Sequence, residues 1–271
     1  MHLSWIEKEM TLIETEIIID SKSLDRAVTI TLLVPGGYEV AEPFNLLLLN
    51  DGQEAENLRL RDTLESLYNA GVLKPVIVAA IHAGEERLQE YGTAGRPDFK
   101  QRGSKAAAYT RFITTELLPA VKKETGITDF EMTAFAGFSL GGLSAMDIAW
   151  NNPDLFDKVG VFSGSFWWRS KELGKGYTEN DRIMHKIIRE SNSKPDLKFW
   201  LQTGTKDETA DRNKNGIIDS IDDTIDVIGE LENKGYSRPA EIQYIEMVGG
   251  SHNVATWAEA MPKFLVWAFG R

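Results

Sequence analysis

The chain has 271 residues, 42% hydrophobic and 26% charged, which is enough for one sizeable α/β domain with a deep core. A formal net charge of −11 argues against the phosphate backbone of a nucleic acid as partner. With no cysteine, disulfides, thiolate metal sites and cysteine nucleophiles are excluded, although the compartment is not fixed by this.

From the N-terminus, Met1 to Lys8 has no apolar core of a signal peptide, and no apolar run is long enough to span a bilayer. The expectation is a cytoplasmic chain without membrane partners, or a periplasmic or secreted one if a leader has been removed. Glu14–Ile19 and Ala27–Val34 read as β-rich segments around a polar turn. Asn45–Leu49 is a short buried strand stopping at Asn50-Asp51-Gly52, Glu54–Ala70 is helical in pattern, and Val76–Ile81 is another buried strand. Lys105–Glu124 places Phe112, Ile113, Leu117 and Val121 at helical spacing. Then come a strand, Met132–Ala136, a helix, Leu140–Trp150, and strands Val159–Phe162 and Phe199–Thr203. Thr224–Lys234 reads as a helix, Glu241–Met247 as a strand and Ala255–Phe269 as a closing helix. This alternation predicts a doubly wound, mostly parallel sheet with helices on both faces. Residues 166–194 contain no clear strand and read as a small cap inserted in a single domain spanning 1–271.

Gly137-Phe138-Ser139-Leu140-Gly141 is a G-x-S-x-G motif between a strand and a helix, the context of a nucleophile elbow. The alternative is a glycine-rich helix start that Ser139 merely caps. A serine nucleophile needs a histidine base and a carboxylate to orient it. Of the four histidines, only His185 and His252 follow Ser139. His252, in Gly249-Gly250-Ser251-His252 after a late strand, is the candidate base; His185, in an amphipathic pattern, reads as a surface or lid residue. Asp207, first acid after the turn that closes Phe199–Thr203, is the candidate orienting carboxylate, with Glu208 as alternative. The backbone amides of Leu140 and Gln53 are the candidate oxyanion donors.

Residues 207–223 contain a second pattern. Asp211, Asn213, Asn215, Ile217 (through its carbonyl), Asp219 and Asp222 fall at the ligand positions of a calcium loop, with Gly216 at its sharp turn. Asp222 replaces the usual glutamate, and Asp223 could substitute for it. Calcium would be a structural ion here, stiffening the segment that carries Asp207.

Together these residues resemble the putative-esterase family of α/β-hydrolases. That family includes feruloyl and acetylxylan esterases, esterase D, mycolyltransferases and enterobactin-type siderophore esterases. The likeness is carried by Leu49-Asn50-Asp51-Gly52-Gln53, Thr115-Glu116-Leu117-Leu118-Pro119, Ala136 to Gly142, Asn152-Pro153-Asp154-Leu155-Phe156, Ser163 to Trp168, Gly204-Thr205-Lys206-Asp207 and Gly250-Ser251-His252. It implies an α/β-hydrolase fold, a Ser139–His252–Asp207 triad and oxyanion amides at Gln53 and Leu140. Asn50 departs from the family's commoner aspartate or apolar residue. The expected activity is serine carboxylic-ester hydrolysis, on acyl or aryl esters of carbohydrates or on siderophore-like lactones. Acyl transfer by the same triad, and calcium-dependent carbohydrate binding without catalysis, are the alternatives. Phe166, Trp167 and Trp168 would hold an aryl or sugar group, or pack the cap onto the core. Arg87, Arg96, Lys100, Arg102 and Lys105 form a basic cluster, read as a solvated loop or a contact for an anionic substrate.

Overall fold

The computed structural model describes residues 11–36 and 43–271; Met1 to Lys8, with His2, lie outside them. Strands β1 (Leu12–Ser21) and β2 (Arg26–Pro35) form an antiparallel hairpin. Strands β3 (Asn45–Asn50), β4 (Val76–Ile81), β5 (Thr133–Phe138), β6 (Lys158–Phe162), β7 (Lys198–Lys206) and β8 (Ile242–Ser251) complete one eight-stranded sheet. Its order is β1-β2-β4-β3-β5-β6-β7-β8. β2 meets β4 antiparallel, and every pairing from β4 to β8 is parallel. The wholly apolar runs Leu46–Leu49 and Val76–Ile81 are what a strand covered on both faces requires.

Side chains alternate between two cores. Leu46, Leu48, Phe135, Val159 and Phe199 face one side, Leu47, Leu49, Ala136, Phe162 and Trp200 the other. The second side is covered by α1 (Leu60–Asn69) and, at the chain end, Val254–Phe269, through Leu64, Tyr68, Met261, Phe264 and Leu265. After the short α2 (Arg87–Glu90), the first side is covered by α3 (Ala106–Arg111), a π-helical turn (Phe112–Leu117), α4 (Leu118–Thr125), α5 (Leu140–Asn151), α6 (Ile183–Glu190) and α7 (Asp219–Asn233). The closing helix Val254–Phe269 is α8. Among the described residues, no helix is long and apolar enough to cross a membrane.

Three helices differ most from expectation, while β7 and β8 run on to Lys206 and Ser251. The helix expected from Glu54 starts at Leu60, because Gly52–Glu54 forms a 3-10 turn and Arg59 has φ 51°. The helix expected over 105–124 is interrupted by the π turn; there the hydroxyls of Thr110, Thr114 and Thr115 bond back to carbonyls one turn earlier. The helix expected from Thr224 begins at Asp219, inside the candidate calcium loop.

The segment 166–194 carries α6 and is locked to α7 by charge. Arg182, almost fully buried, bonds Asp223 and Asp226 at 2.6 Å each, and Arg212 joins Asp223 to Glu179. Removing one partner of so buried a pair would strand the other charge. His185 is not the surface residue its helical pattern suggested. It lies on the buried side of α6, fully enclosed, with Nε2 2.9 Å from the Asp223 carbonyl. Burial, with Arg182 nearby, holds it well below the usual histidine pKa. A base whose folded pKa is depressed contributes stability that is complete above its unfolded value and declines as pH falls below about 6.5. Between pH 7.5 and 5.5 the thermal midpoint of the wild type should therefore fall more than that of His185→Gln. Equal slopes would show that His185 takes up no proton on unfolding.

Candidate active site

Parallel strands place their carboxyl ends along one edge, and there the chain collects Asn50–Asp51, Ser139, Ser163, Asp207 and His252. Ser139 joins β5 to α5 with φ 53° and ψ −122°, a conformation a non-glycine residue adopts only under constraint. Its amide donates to the Phe162 carbonyl at 2.8 Å. Its side chain caps no amide of α5, so the capping alternative fails on geometry. The turn's tightness explains the glycines. A Cβ on Gly137 would lie 2.4 Å from the Gly141 carbonyl oxygen, and one on Gly141 would lie 2.7 Å from an Asp51 carboxylate oxygen. The Ser139 hydroxyl is left half-buried, 3.3 Å from the hydroxyl of Ser165.

Asp207 and His252 leave the neighbouring strands β7 and β8 and line one cavity of about 210 Å³ with Ser163, Gly164, Trp167, Glu208 and Ser220. One Asp207 oxygen accepts the Gly204 amide at 3.0 Å; the other, Oδ1, is buried without a partner among the described residues. The His252 ring keeps exposed surface but stands edge-on to Trp257 at 5.3 Å, and the Trp257 indole N–H donates to the Ser163 hydroxyl at 3.0 Å. Partial loss of water lowers the His252 pKa, the Asp207 charge raises it, and the Arg87 charge lowers it. Glu208 exerts no such influence on His252; it accepts a bond from the Ser220 backbone at the start of α7. Among the described residues no hydrogen bond directly joins Ser139, His252 and Asp207. Such contacts are commonly long before substrate binds.

The Leu140 amide opens α5, where the first N–H groups have no intrahelical acceptor. Gln53 sits in the 3-10 turn after β3, its side-chain oxygen accepting the Ala83 amide at 2.9 Å. Gly52 is more than a turn former: a Cβ there would lie 2.4 Å from the Ala80 carbonyl carbon of β4. A buried polar network fixes this corner. Asn50 donates to the Gly141 carbonyl at 2.8 Å and accepts from Tyr109 at 2.5 Å, while the Asp51 amide donates to Tyr91 at 3.3 Å. The unusual Asn50 thus braces the elbow directly.

Sequence reasoning read Arg87 as a solvated loop residue or an anionic-substrate contact and missed its pairing with Asp51. Its guanidinium is held by two bonds to Asp51, 2.6 and 2.8 Å, and lies 4.9 Å over the Tyr91 ring. The sequence shows only a basic cluster. The structure largely neutralises it, with Arg102 on Asp98 and Lys105 on Glu86. The aromatic triplet also divides. Phe166 and Trp168 are fully buried, Phe166 edge-on to His185 and Trp168 packed beneath Gly92 and Gly103, so neither is available to a ligand. Only Trp167 reaches the cavity, with Arg102 stacked on it at 4.9 Å.

The candidate calcium loop is closed by its own bonds. Asp211 accepts the Asn215 and Gly216 amides, Asp219 accepts the Arg212 amide, and Asp222 accepts both Asn213 and Asn215 side chains. Gly216 takes φ 86°, and Ile217 stands exposed. Among the described residues, no group of three or more histidine, aspartate or glutamate side chains converges to hold a metal.

The profile of the family described as Putative esterase matches residues 21–268. The iron(III) enterobactin esterase of Dickeya dadantii (strain 3937) is 29% identical over 167 residues, 60% of this chain and 36% of that protein. The crystal structure of the enterobactin esterase from Shigella flexneri superposes with a TM-score of 0.72 at 23% identity, covering 94% of this chain and 58% of that one. A ferulic acid esterase does so with a TM-score of 0.71 at 18% identity, over 96% and 98%. Likeness at those two identities shows the fold, and this chain spans only part of the enterobactin esterases.

The charges around His252 make a direct test. An NMR titration should place its ring pKa below 6.5. Asp207→Asn removes a charge that raises it and should lower it further; Arg87→Met removes a charge that lowers it and should raise it. An unmoved value in both variants would place these groups too far away to act.

Proposed function

Because the chain belongs to the putative-esterase family, we propose that it is a serine carboxylic-ester hydrolase working through an acyl-enzyme. The observation that carries this reading is the strained Ser139 on the sheet edge, beside strand ends that put an unpaired Asp207 oxygen and His252 in one cavity. Asp207 Oδ1 would accept the imidazole N–H, leaving the other ring nitrogen to take the Ser139 proton. The Ser139 oxygen attacks the ester carbonyl, and the charge that develops there is met by the Leu140 and Gln53 amides. The alcohol leaves with the proton from His252, and water repeats the sequence to release the acid.

Two alternatives use the same residues. Acyl transfer needs water kept out, whereas His252 retains exposed surface, which supports hydrolysis. Carbohydrate binding without catalysis gives no reason for a strained serine that caps nothing. The relatives named for enterobactin and ferulic acid support a small organic ester as substrate. Trp167, backed by the Arg102 cation, would stack an aryl or sugar group of it.

Calcium in the loop Asp211–Asp222 is a second, separate proposal. Calcium would require the Asn213 and Asn215 side chains to turn their oxygens, which now accept the Asn215 and Ile217 amides, toward Asp222 to complete an oxygen ligand set. The ion would stiffen the segment between Asp207 and α7.

Ser139→Ala should lose about three orders of magnitude or more in p-nitrophenyl acetate hydrolysis at equal folded concentration; equal turnover would remove Ser139 as nucleophile. Calcium in excess over EDTA should raise the thermal midpoint of the wild type by several degrees and leave Asp211→Ala unmoved. No shift in the wild type would show that the loop closes on itself without an ion.

A further inference from the structure

The exit from β6 is built around a second serine. Ser163 takes φ 47°, a strained value for a side chain of any size. Gly164 follows where a Cβ would lie 2.5 Å from Val161 Cγ1. The turn is pinned by the Ser163 amide on the Gln202 carbonyl at 2.8 Å, by Trp257 on the Ser163 hydroxyl at 3.0 Å and by the Trp168 amide on the Ser165 carbonyl at 3.1 Å. The result is that Ser165, only 2% exposed, is delivered to the nucleophile. Its amide donates to the Ser139 carbonyl at 3.1 Å, and its hydroxyl lies 3.3 Å from the Ser139 hydroxyl.

The amide bond alone already ties this turn to the elbow, so anchoring does not require the hydroxyl. A buried hydroxyl is stabilised by giving its proton to an acceptor, since a bond left unmade costs free energy. Among the described residues, the hydrogen-bond partner of the Ser165 hydroxyl is Ser139 Oγ. Either hydroxyl can be the donor across this contact; with the Ser165 proton on Ser139 Oγ, the proton of Ser139 is left to point away, toward a base.

Resting on the acyl-enzyme reading above, we propose that Ser165 is a further catalytic residue, donating its O–H to Ser139 Oγ and stabilising that oxygen as it leaves the acyl group. In acylation the Oγ–carbon bond forms while the Ser139 proton passes to His252. A donor on Oγ tempers its attack, so the gain in this half is small. In deacylation, water gives its proton to His252 and adds to the acyl carbon. The carbon–Oγ bond then breaks, its electron pair stays on Oγ, and Oγ recovers the proton from His252. The Ser165 O–H keeps its own proton throughout and bonds most strongly when Oγ carries most charge.

The test is the decay of acetyl-Ser139 after rapid mixing with p-nitrophenyl acetate, followed by acid quench and mass spectrometry. The activated leaving group makes acylation fast and the second half-reaction visible. Ser165→Ala should slow the decay about tenfold, the worth of one such bond. Its kcat and KM should fall together, leaving kcat/KM nearly unchanged. Ser165→Thr, which keeps the hydroxyl, should decay as the wild type does. Ser165→Cys, a weak donor, should resemble the alanine variant and serves if that one folds poorly. Decay at the wild-type rate in Ser165→Ala or Ser165→Cys overturns the proposal. So does a fall in kcat/KM at constant KM, which would mean that Ser165 only holds the turn. A wild type that never carries acetyl on Ser139 would instead remove the acyl-enzyme reading, and this proposal with it.

Discussion

Everything at the candidate site depends on the strand-to-helix turn at Ser139. A side chain at φ 53° is worth about 1–3 kcal/mol of strain, and that strain persists only where the surroundings leave no alternative. Here they leave none. A Cβ on Gly137 would strike the Gly141 carbonyl, one on Gly141 the Asp51 carboxylate, and one on Gly142 would lie 2.8 Å from Val161 Cγ1. The Phe162 carbonyl holds the Ser139 amide, and the Ser139 carbonyl receives the Ser165 amide. On this side the elbow is held by strand β6 and the loop that follows it.

The other side of the elbow is braced by a polar network inside an apolar core. Asn50, Tyr109, Tyr91, Asp51 and Arg87 connect the end of β3 to α2, α3 and the first turn of α5. Each buried polar atom in this chain of bonds has a partner, which is the condition for such a network to stiffen a core rather than weaken it. The network also places the Arg87 cation where its charge acts on His252. Backbone strain, loop position and the His252 pKa are therefore linked through one set of contacts.

A second linkage runs through the acidic loop. Asp207 sits at its start and α7 at its end, and the buried Arg182–Asp223–Arg212 cluster fastens α6 and the 166–194 segment to that helix. Such buried ion pairs add little net stability but specify one arrangement strongly, since any other leaves a charge without a partner. The cavity wall formed by Trp167 and Ser220 inherits its position from this cluster.

The sheet and its helices were legible because hydrophobic period and strand length are local properties. The unbroken runs Leu46–Leu49 and Val76–Ile81 announce covered parallel strands, and G-x-S-x-G between strand and helix announces a sharp turn. The candidate residues Ser139, Asp207 and His252 were legible for a related reason: parallel strands deliver the residues after them to one edge, whatever the loops do. What the sequence could not tell is which side chains meet. Phe166, Trp167 and Trp168 are adjacent and alike, yet only Trp167 faces the cavity, because the glycines at 92 and 103 make room for the Trp168 ring beneath the loop. His185 has the spacing of an amphipathic helix, but α7 covers the face it stands on. Arg87 read only as one of a basic cluster, and Ser165 and Asn50 only as members of motifs, with no contact of their own to predict. Their roles arise from segments tens of residues apart packing to within hydrogen-bond distance. By itself, then, the sequence determined the architecture and the chemistry of the strand ends, since both follow from local pattern. Only the tertiary structure decided the neighbours of each functional group, because burial, charge and bond partners are properties of the packed chain.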